Sequence, residues 1–243
     1  MRSWPIAVAT VVLLVSVAQV SGAIKTGGFE TAFGPGWDTI GTTSIKTGAF
    51  GAAPTEGTYQ ALITNGAGSV SLASLETFLG VPADILTALS TGTPTLGSAI
   101  RQTGIVVATA GETISFDFSF LTNELTSTYW NDFAFYTLRT EGFLLADTFS
   151  AGFVSSATPF KQETGYLTLT TVPLQPGEYT LGFGAMQLRD TFVDSGLLID
   201  NVQQPHHHTP EPASVIVWSL LVGLTWVGGM PRFLRRRRRQ RGA

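Results

Sequence analysis

Three carboxylates, Asp117, Glu124 and Asp132, flank two aromatic-rich stretches of the sequence. Glycosidases act through a pair of carboxylates, one as general acid and the other as base or nucleophile. Such a pair must converge in a cleft, and the spacing of these residues shows no convergence. Because 16 acidic residues lie between Ile24 and Thr209, chance proximity is the better explanation. We therefore predict no catalytic residue and no enzyme activity, and keep a glycan-processing enzyme as an alternative.

The chain's three histidines, His206, His207 and His208, are adjacent to one another. A Ser-His-Asp triad or a His-ligated zinc site is therefore excluded from the chain before them. The absence of cysteine excludes thiol catalysis and iron–sulfur chemistry. A histidine triplet can bind a transition metal, but the neighbouring Pro205 favours a solvated spacer.

The stretch Tyr129-Trp130-Asn131-Asp132 supports a different kind of chemistry. Its aromatic rings could stack on a pyranose ring, and its amide and carboxylate could bind sugar hydroxyls. It lies between predicted strands, in a loop, where binding residues are common. We predict a carbohydrate site at these four residues, although one of the two rings is expected to cover the core edge. Trp37 and Tyr136 are further aromatic candidates, of which Trp37 is expected to pack under the first strand.

The secondary-structure elements that must position these residues are predicted to be mainly strands. Thr113–Phe120 alternates strictly and places Ile114, Phe116, Phe118 and Phe120 on one face. Gly177–Ala185 repeats the pattern, with Tyr179, Leu181, Phe183 and Ala185 inward. Weaker strand signals are found at Tyr59–Thr64, Ile105–Ala108, Asp132–Leu138, Tyr166–Thr170 and Gly196–Val202.

One segment, from about 71 to 89, has helical spacing instead. Its apolar residues recur every three or four positions: Leu72, Leu75, Leu79, Ile85, Leu86 and Leu89. Val81 is expected to end the first helix, and Pro82 to start a second short one. Many short strands with Gly-rich turns and one helical insertion predict an all-β fold, a β-sandwich, over residues 24–202.

The N-terminus has the features of a secretory signal peptide at residues 1–23. Arg2 precedes an apolar run from Ile6 to Val20, and small residues lead to Ala23, after which we predict cleavage. An uncleaved N-terminal anchor is the alternative. We expect export across the inner membrane through the Sec translocon.

The C-terminus adds a second membrane signal. Residues 213–229 carry no charge and are long enough to span a bilayer, and the basic tail 232–241 follows. The part between Ile24 and Thr209 has 6 basic and 16 acidic residues, a net charge of −10. A nucleic-acid role needs a basic surface, so none is expected. Residues 203–209 are predicted to be a linker.

The order Pro210-Glu211-Pro212, apolar span and arginines resembles the PEP-CTERM sorting signal of Gram-negative bacteria. The resemblance implies that exosortase, a membrane protease-transpeptidase, recognises residues 210–212. It also implies that the membrane helix 213–229 is a transient contact with the inner membrane. The mature protein is then expected in the cell envelope, on the outer surface or in the extracellular matrix.

The exported part carries a second, less specific resemblance. Gly27-Gly28-Phe29-Glu30, 97–102, 120–124 and 194–202 resemble segments of jelly-roll carbohydrate-binding modules, which are related to galactose-binding-like domains. The resemblance implies neighbouring first and last strands with a structural calcium ion beside Glu30 and Asp200. Carbonyl groups would have to complete the six to eight oxygens that calcium takes. Both carboxylates could equally be surface residues at strand ends.

These observations predict an exported surface or matrix component, structural or associated with exopolysaccharide. A lectin-like module with a specific glycan ligand is the first alternative, and the enzyme is the second.

Overall fold

The computed structural model describes residues 22–125, 130–189 and 191–204. Residues 1–21 of the predicted signal peptide lie outside the described residues, as does Tyr129. The same holds for the linker from residue 205 onward, the three histidines and the sorting signal at residues 210–241. Within the described ranges, every helix is too short or too polar to cross a bilayer.

Fourteen strands and one α-helix make up the described chain. The strands are β1 Glu30–Phe33, β2 Asp38–Ile40, β3 Thr42–Lys46, β4 Gln60–Thr64, β5 Val70–Ser71, β6 Pro94–Val107, β7 Ser115–Thr122, β8 Phe133–Leu138, β9 Glu141–Asp147, β10 Val154–Ser155, β11 Gln162–Glu163, β12 Leu167–Thr170, β13 Gly177–Leu188 and β14 Ser195–Gln203. The helix α1 is Leu72–Leu79, and single 3₁₀ turns occupy Gly48–Phe50 and Thr87–Leu89.

Thirteen of these strands, all except β1, form two antiparallel sheets that face each other. The seven-stranded sheet has the order β10-β11-β7-β14-β4-β3, with β12 also paired to β7. The six-stranded sheet has the order β2-β6-β13-β8-β9, with β5 also paired to β6. The predicted all-β, jelly-roll-type β-sandwich with one short helical insertion is confirmed.

The main core lies between the sheets and follows the predicted alternation. Phe116, Phe118 and Phe120 of β7 enter it from one side, and β13 enters from the other through Tyr179, Leu181, Phe183 and Ala185. The rings of Phe116 and Phe183 meet edge to face, with centroids 4.7 Å apart. Strand periodicity therefore identified this core correctly.

The outer face of the seven-stranded sheet is also covered. Leu62, Leu121, Phe160 and Leu198 form a small apolar cluster there. The polar outward residues of β7, such as Asp117 and Ser119, are buried as well. This sheet is therefore packed on both faces. The sequence of β7 nevertheless alternates between apolar and polar residues, as is typical of a strand with one face in water.

The helical insertion covers the outer face of the six-stranded sheet. Leu75 and Leu79 of α1 pack there with Leu86, Phe133 and Phe135. The helix begins at the Ser71 N-cap and ends at Gly80, whose φ of 73° suits glycine. The predicted second helix after Pro82 is wrong: that segment forms one 3₁₀ turn, and the buried Glu76 carboxylate accepts the Leu86 N–H at 3.2 Å.

Candidate functional site

Asp132 is fully buried at one end of the sandwich, where it joins three strands. Its Oδ2 accepts hydrogen bonds from Asn65 Nδ2 at 2.8 Å and from Ser195 Oγ at 2.9 Å. Its Oδ1 accepts from the Leu188 N–H at 3.0 Å. Asn65 follows β4, Ser195 begins β14 and Leu188 ends β13. The carboxylate therefore links strand ends of both sheets.

Asn131 is also turned inward. It is 2% exposed, and its Oδ1 accepts from Thr148 N at 3.0 Å and from Thr148 Oγ1 at 2.9 Å. Its Nδ2 donates to Asp147 Oδ2 at 3.1 Å. The prediction that Asn131 and Asp132 face sugar hydroxyls is corrected here, because both side chains are committed to contacts inside the protein.

Trp130, in contrast, is 39% exposed. Thr148 Oγ1 donates to the Trp130 carbonyl at 3.2 Å, which brings the chain around Thr148 next to Trp130. The residue after Thr148 is Phe149, which is 53% exposed. A second contact between loops lies nearby in the chain: the Asn123 N–H donates to the Asp194 carbonyl at 3.1 Å. Two further exposed side chains flank it. Leu125 and Phe192 each lie two residues from that bond.

We name Leu125, Trp130, Phe149 and Phe192 the loop-end patch. The Asp132 network lies at the same end of the sandwich, and Thr122 extends it through a 2.9 Å contact between its Oγ1 and Ser195 Oγ. Isolated exposed apolar residues are common, but several at one end of a domain make that end a candidate binding surface. Aromatic rings supply flat apolar area with little conformational freedom to lose. The patch suits a ligand with apolar ring faces.

The two other aromatic candidates are excluded from such a surface. Trp37 is 5% exposed, packs on Phe29 and Phe183, and donates its Nε1–H to the Lys25 carbonyl at 3.1 Å. Tyr136 is buried and stacks on Phe143 with centroids 4.7 Å apart. Trp37 therefore packs in the core, as expected.

The three candidate catalytic carboxylates do not form one site. Glu124 lies near the Asp132 network, because its N–H donates to Thr122 Oγ1 at 2.9 Å. Both Glu124 and Asp132 are buried. Asp117 lies elsewhere on β7, directly opposite Asp200 of β14. The predicted absence of catalysis stays a prediction.

Asp117 and Asp200 are neighbouring buried carboxylates whose pKa values move in opposite directions. Burial raises the pKa of Asp200, and this effect is larger than the opposite effect of the hydrogen bonds that it accepts from Glu56, Asn201 and Thr55. Burial also acts on Asp117, but donation from Thr168, Asn201 and Thr55 outweighs it and lowers that pKa. The number of bonds that each carboxylate accepts therefore does not by itself set its pKa.

These shifts predict the acid response of two variants. A carboxyl group whose pKa is lowered on folding stabilises the protein at neutral pH, and this stability is lost as the pH falls through the folded-state pKa. A carboxyl group whose pKa is raised on folding destabilises the protein at neutral pH, and this cost is relieved as the pH falls. Asp117→Asn should therefore lose less free energy of unfolding between pH 6 and pH 3 than the parent protein. Asp200→Asn should lose more. Urea titrations at both pH values measure this, and equal losses in all three proteins would contradict it.

Glu30 and Asp200 hold successive residues of one loop. Asp200 Oδ2 accepts from Thr55 N at 2.7 Å and Glu56 N at 2.9 Å. Glu30 Oε1 accepts from the N–H groups of residues 58 and 59 at 2.7 and 2.9 Å. We name this arrangement the carboxylate clamp.

A calcium ion at the clamp stays a prediction, and the donor set does not fit it. The Asn201 N–H also donates to Asp200 Oδ1 at 2.8 Å, so N–H groups contact both Asp200 oxygens where a cation would need them. In the described ranges, no group of three or more His, Cys, Asp or Glu side chains is arranged to hold a metal.

Comparison with known proteins adds distant structural similarity. No protein-family model and no curated protein sequence matches the chain. A family 61 carbohydrate-binding module solved with β-1,4-galactotriose is 13% identical, with a TM-score of 0.40, over 77% of this chain and 100% of that one. A carbohydrate-binding module of the β-sandwich superfamily is 12% identical, with a TM-score of 0.38, over 77% and 64%. The K3 adhesin domain of Lys-gingipain from Porphyromonas gingivalis is 13% identical, with a TM-score of 0.34, over 76% and 99%.

At these scores the functional argument rests on this chain's own residues. Sequence reasoning missed Phe149 and Phe192, although a signal was present. Phe149 lies in Asp-Thr-Phe-Ser-Ala-Gly and Phe192 in Asp-Thr-Phe-Val-Asp-Ser. A single large ring within a run of turn-forming residues is typical of a surface loop.

Proposed function

We propose that this protein binds carbohydrate through the loop-end patch and does not process it. The observation that carries the proposal is the exposure of the Trp130, Phe149 and Phe192 rings close to the strand ends that the buried Asp132 network links. Glu124 and Asp132, the two candidate catalytic acids at this end, are buried, which supports binding without catalysis.

The cellular setting belongs to the same proposal. The signal peptide at residues 1–23 and the sorting motif Pro210-Glu211-Pro212 support export, followed by exosortase processing. The mature protein would then act at the cell surface or in the extracellular matrix, with exopolysaccharide as its ligand. This replaces the purely structural role as the function that we favour.

A glycan array followed by titration tests the proposal. The purified protein should bind at least one polysaccharide, and Trp130→Ala and Phe149→Ala should each weaken binding about tenfold, because one aromatic contact contributes about 1.4 kcal/mol. Tyr59→Ala is the matched control: its ring is 38% exposed, and it precedes β4, at the other end of that strand from Asn65. Its affinity should stay within about twofold of the parent. Failure to bind any glycan would return the structural role to first place.

A further inference from the structure

A cavity lies where α1 ends over the six-stranded sheet. It has a volume of about 300 Å³ and is lined by Leu79 and Gly80, by Arg101 of β6, by the turn residues Arg139 and Thr140, and by 178–180 of β13. This volume is at the small end of the range for ligand pockets. The cavity can therefore take a group of about the size of one sugar ring.

Two of the six basic residues between Ile24 and Thr209 line this one cavity. The Arg101 guanidinium lies 4.6 Å from the centroid of the Phe78 ring, and Arg139 lies 3.9 Å from that of Tyr179. Arg101 also donates to the Phe78 carbonyl, and Arg139 Nε donates to the Glu178 carbonyl at 3.0 Å. Each guanidinium is thus held by a ring and a carbonyl, with further N–H groups left to donate.

The local acids leave one arginine without a partner of opposite charge. Asp38 Oδ2 lies 3.3 Å from Arg101 Nε, and both side chains are partly solvated, which weakens the pair. Glu178 also lines the cavity, and Glu141 adjoins the turn. Among the described residues, no carboxylate lies within ion-pair distance of Arg139. The three acids offset the charge of the two arginines, so an anion would have to be recognised through guanidinium hydrogen bonds and not through local net charge.

The backbone at Arg139 is a further sign of function. Its φ is 56°, in the left-handed region, at a two-residue turn between Leu138 and Glu141. Glycine occupies such a position at the lowest conformational cost. An arginine there is strained, and strained residues concentrate at binding sites. The strain here places a guanidinium over Tyr179.

We propose that this cavity binds the carboxylate of an acidic sugar, such as a uronic acid residue within a polysaccharide. A planar carboxylate matches the paired N–H groups of guanidinium. The cavity is separate from the loop-end patch, because β8 runs from Phe133 beside Asp132 to Leu138 beside Arg139. At about 3.3 Å per residue, its six residues span about 20 Å. The choice of a sugar as the carrier of the carboxylate rests on the proposed carbohydrate function.

The test compares an oligoglucuronan with its carboxyl-reduced, neutral form by calorimetry on the purified protein. The acidic form should bind about tenfold more tightly, since hydrogen bonds to charged groups are the stronger ones. Arg139→Gly should abolish this preference and change the melting temperature little, because relief of the strain at φ 56° offsets the lost contacts with Tyr179 and the Glu178 carbonyl. Arg101→Gln should reduce the preference as well. Lys46→Gln removes one charge from the other sheet and should keep the preference intact.

The outcomes separate the two proposals. Equal affinity for the acidic and neutral forms, or a preference that survives Arg139→Gly, would overturn the arginine site while the loop-end patch stands. Trp130→Ala should weaken both forms to the same extent and leave the preference. Binding of sodium acetate with the same affinity as the oligoglucuronan would mean that the cavity recognises any carboxylate, and it would overturn the sugar assignment. Failure to bind either form overturns the arginine site, whereas the loop-end patch is overturned only if the glycan array also shows no binding.

Discussion

Replacing Asp132 with alanine is expected to lower the free energy of unfolding by about 3 kcal/mol. The variant removes the acceptor for Asn65 Nδ2, Ser195 Oγ and the Leu188 N–H, all in a fully buried environment. Buried donors without acceptors cost much more than the net value of the bonds they once made. Urea denaturation followed by tryptophan fluorescence measures the change.

The control for this variant is Asp194→Ala, at the same end of the sandwich. The Asp194 side chain is exposed, so its loss should change stability by no more than about 0.5 kcal/mol. A loss of less than about 1 kcal/mol for Asp132→Ala would show that water replaces the carboxylate. In that case the loops of the patch would not depend on this network.

Gly184→Ala is expected to destabilise the protein by about 2 kcal/mol, because the added methyl group has no free space between β13 and its buried neighbours. A Cβ at this position of β13 would lie 2.3 Å from Phe135 Cζ and 2.8 Å from the Ser98 carbonyl oxygen. Phe135 is fully buried under the helical insertion, and the Ser98 carbonyl is main chain. Neither can move without disturbing the six-stranded sheet or its contact with α1.

Gly48→Ala is the matched control, because a Cβ there would meet its nearest neighbours, Ala53 and Pro54, at 3.9 Å. Thermal unfolding should show no loss for this variant and a lower melting temperature for Gly184→Ala. If the two variants melt alike, the outer face of the six-stranded sheet is packed more loosely than the contacts of Phe135 indicate.

The sequence predicted the parts of the fold that depend on local periodicity. The alternation in β7 and β13 identified both sides of the main core, and the leucine spacing located α1. It could not predict the first half of β6, because Pro94–Gly97 has the composition of a loop and is a strand only through pairing with β13 and β5. Strand β2 was missed because its pairing partner, β6, lies far along the chain. Strand β3 was missed although its partner, β4, is the next strand.

At the predicted carbohydrate site, the sequence did not reveal the structural roles of the polar residues. The sequence located a loop with Trp130, whose ring is partly exposed. It could not show that Asn131 and Asp132 turn inward, because the partner Asn65 is 67 residues away and Ser195 is 63. Polar residues beside aromatic ones serve equally well as ligand contacts or as buried links. Only the fold decides between these roles.

The position of β14 has a mechanical consequence. This strand is the last described one, and it lies in the interior of the seven-stranded sheet, hydrogen-bonded to β4 on one side and β7 on the other. Tension applied to the chain beyond Gln203 along the strand axis would act on both rows of hydrogen bonds in shear, not one after another as in unzipping. If the protein were attached to a surface at that end and bound a polymer through its loops, a pull on the polymer would load β14. The strand that bears this load also carries Asp200 of the carboxylate clamp.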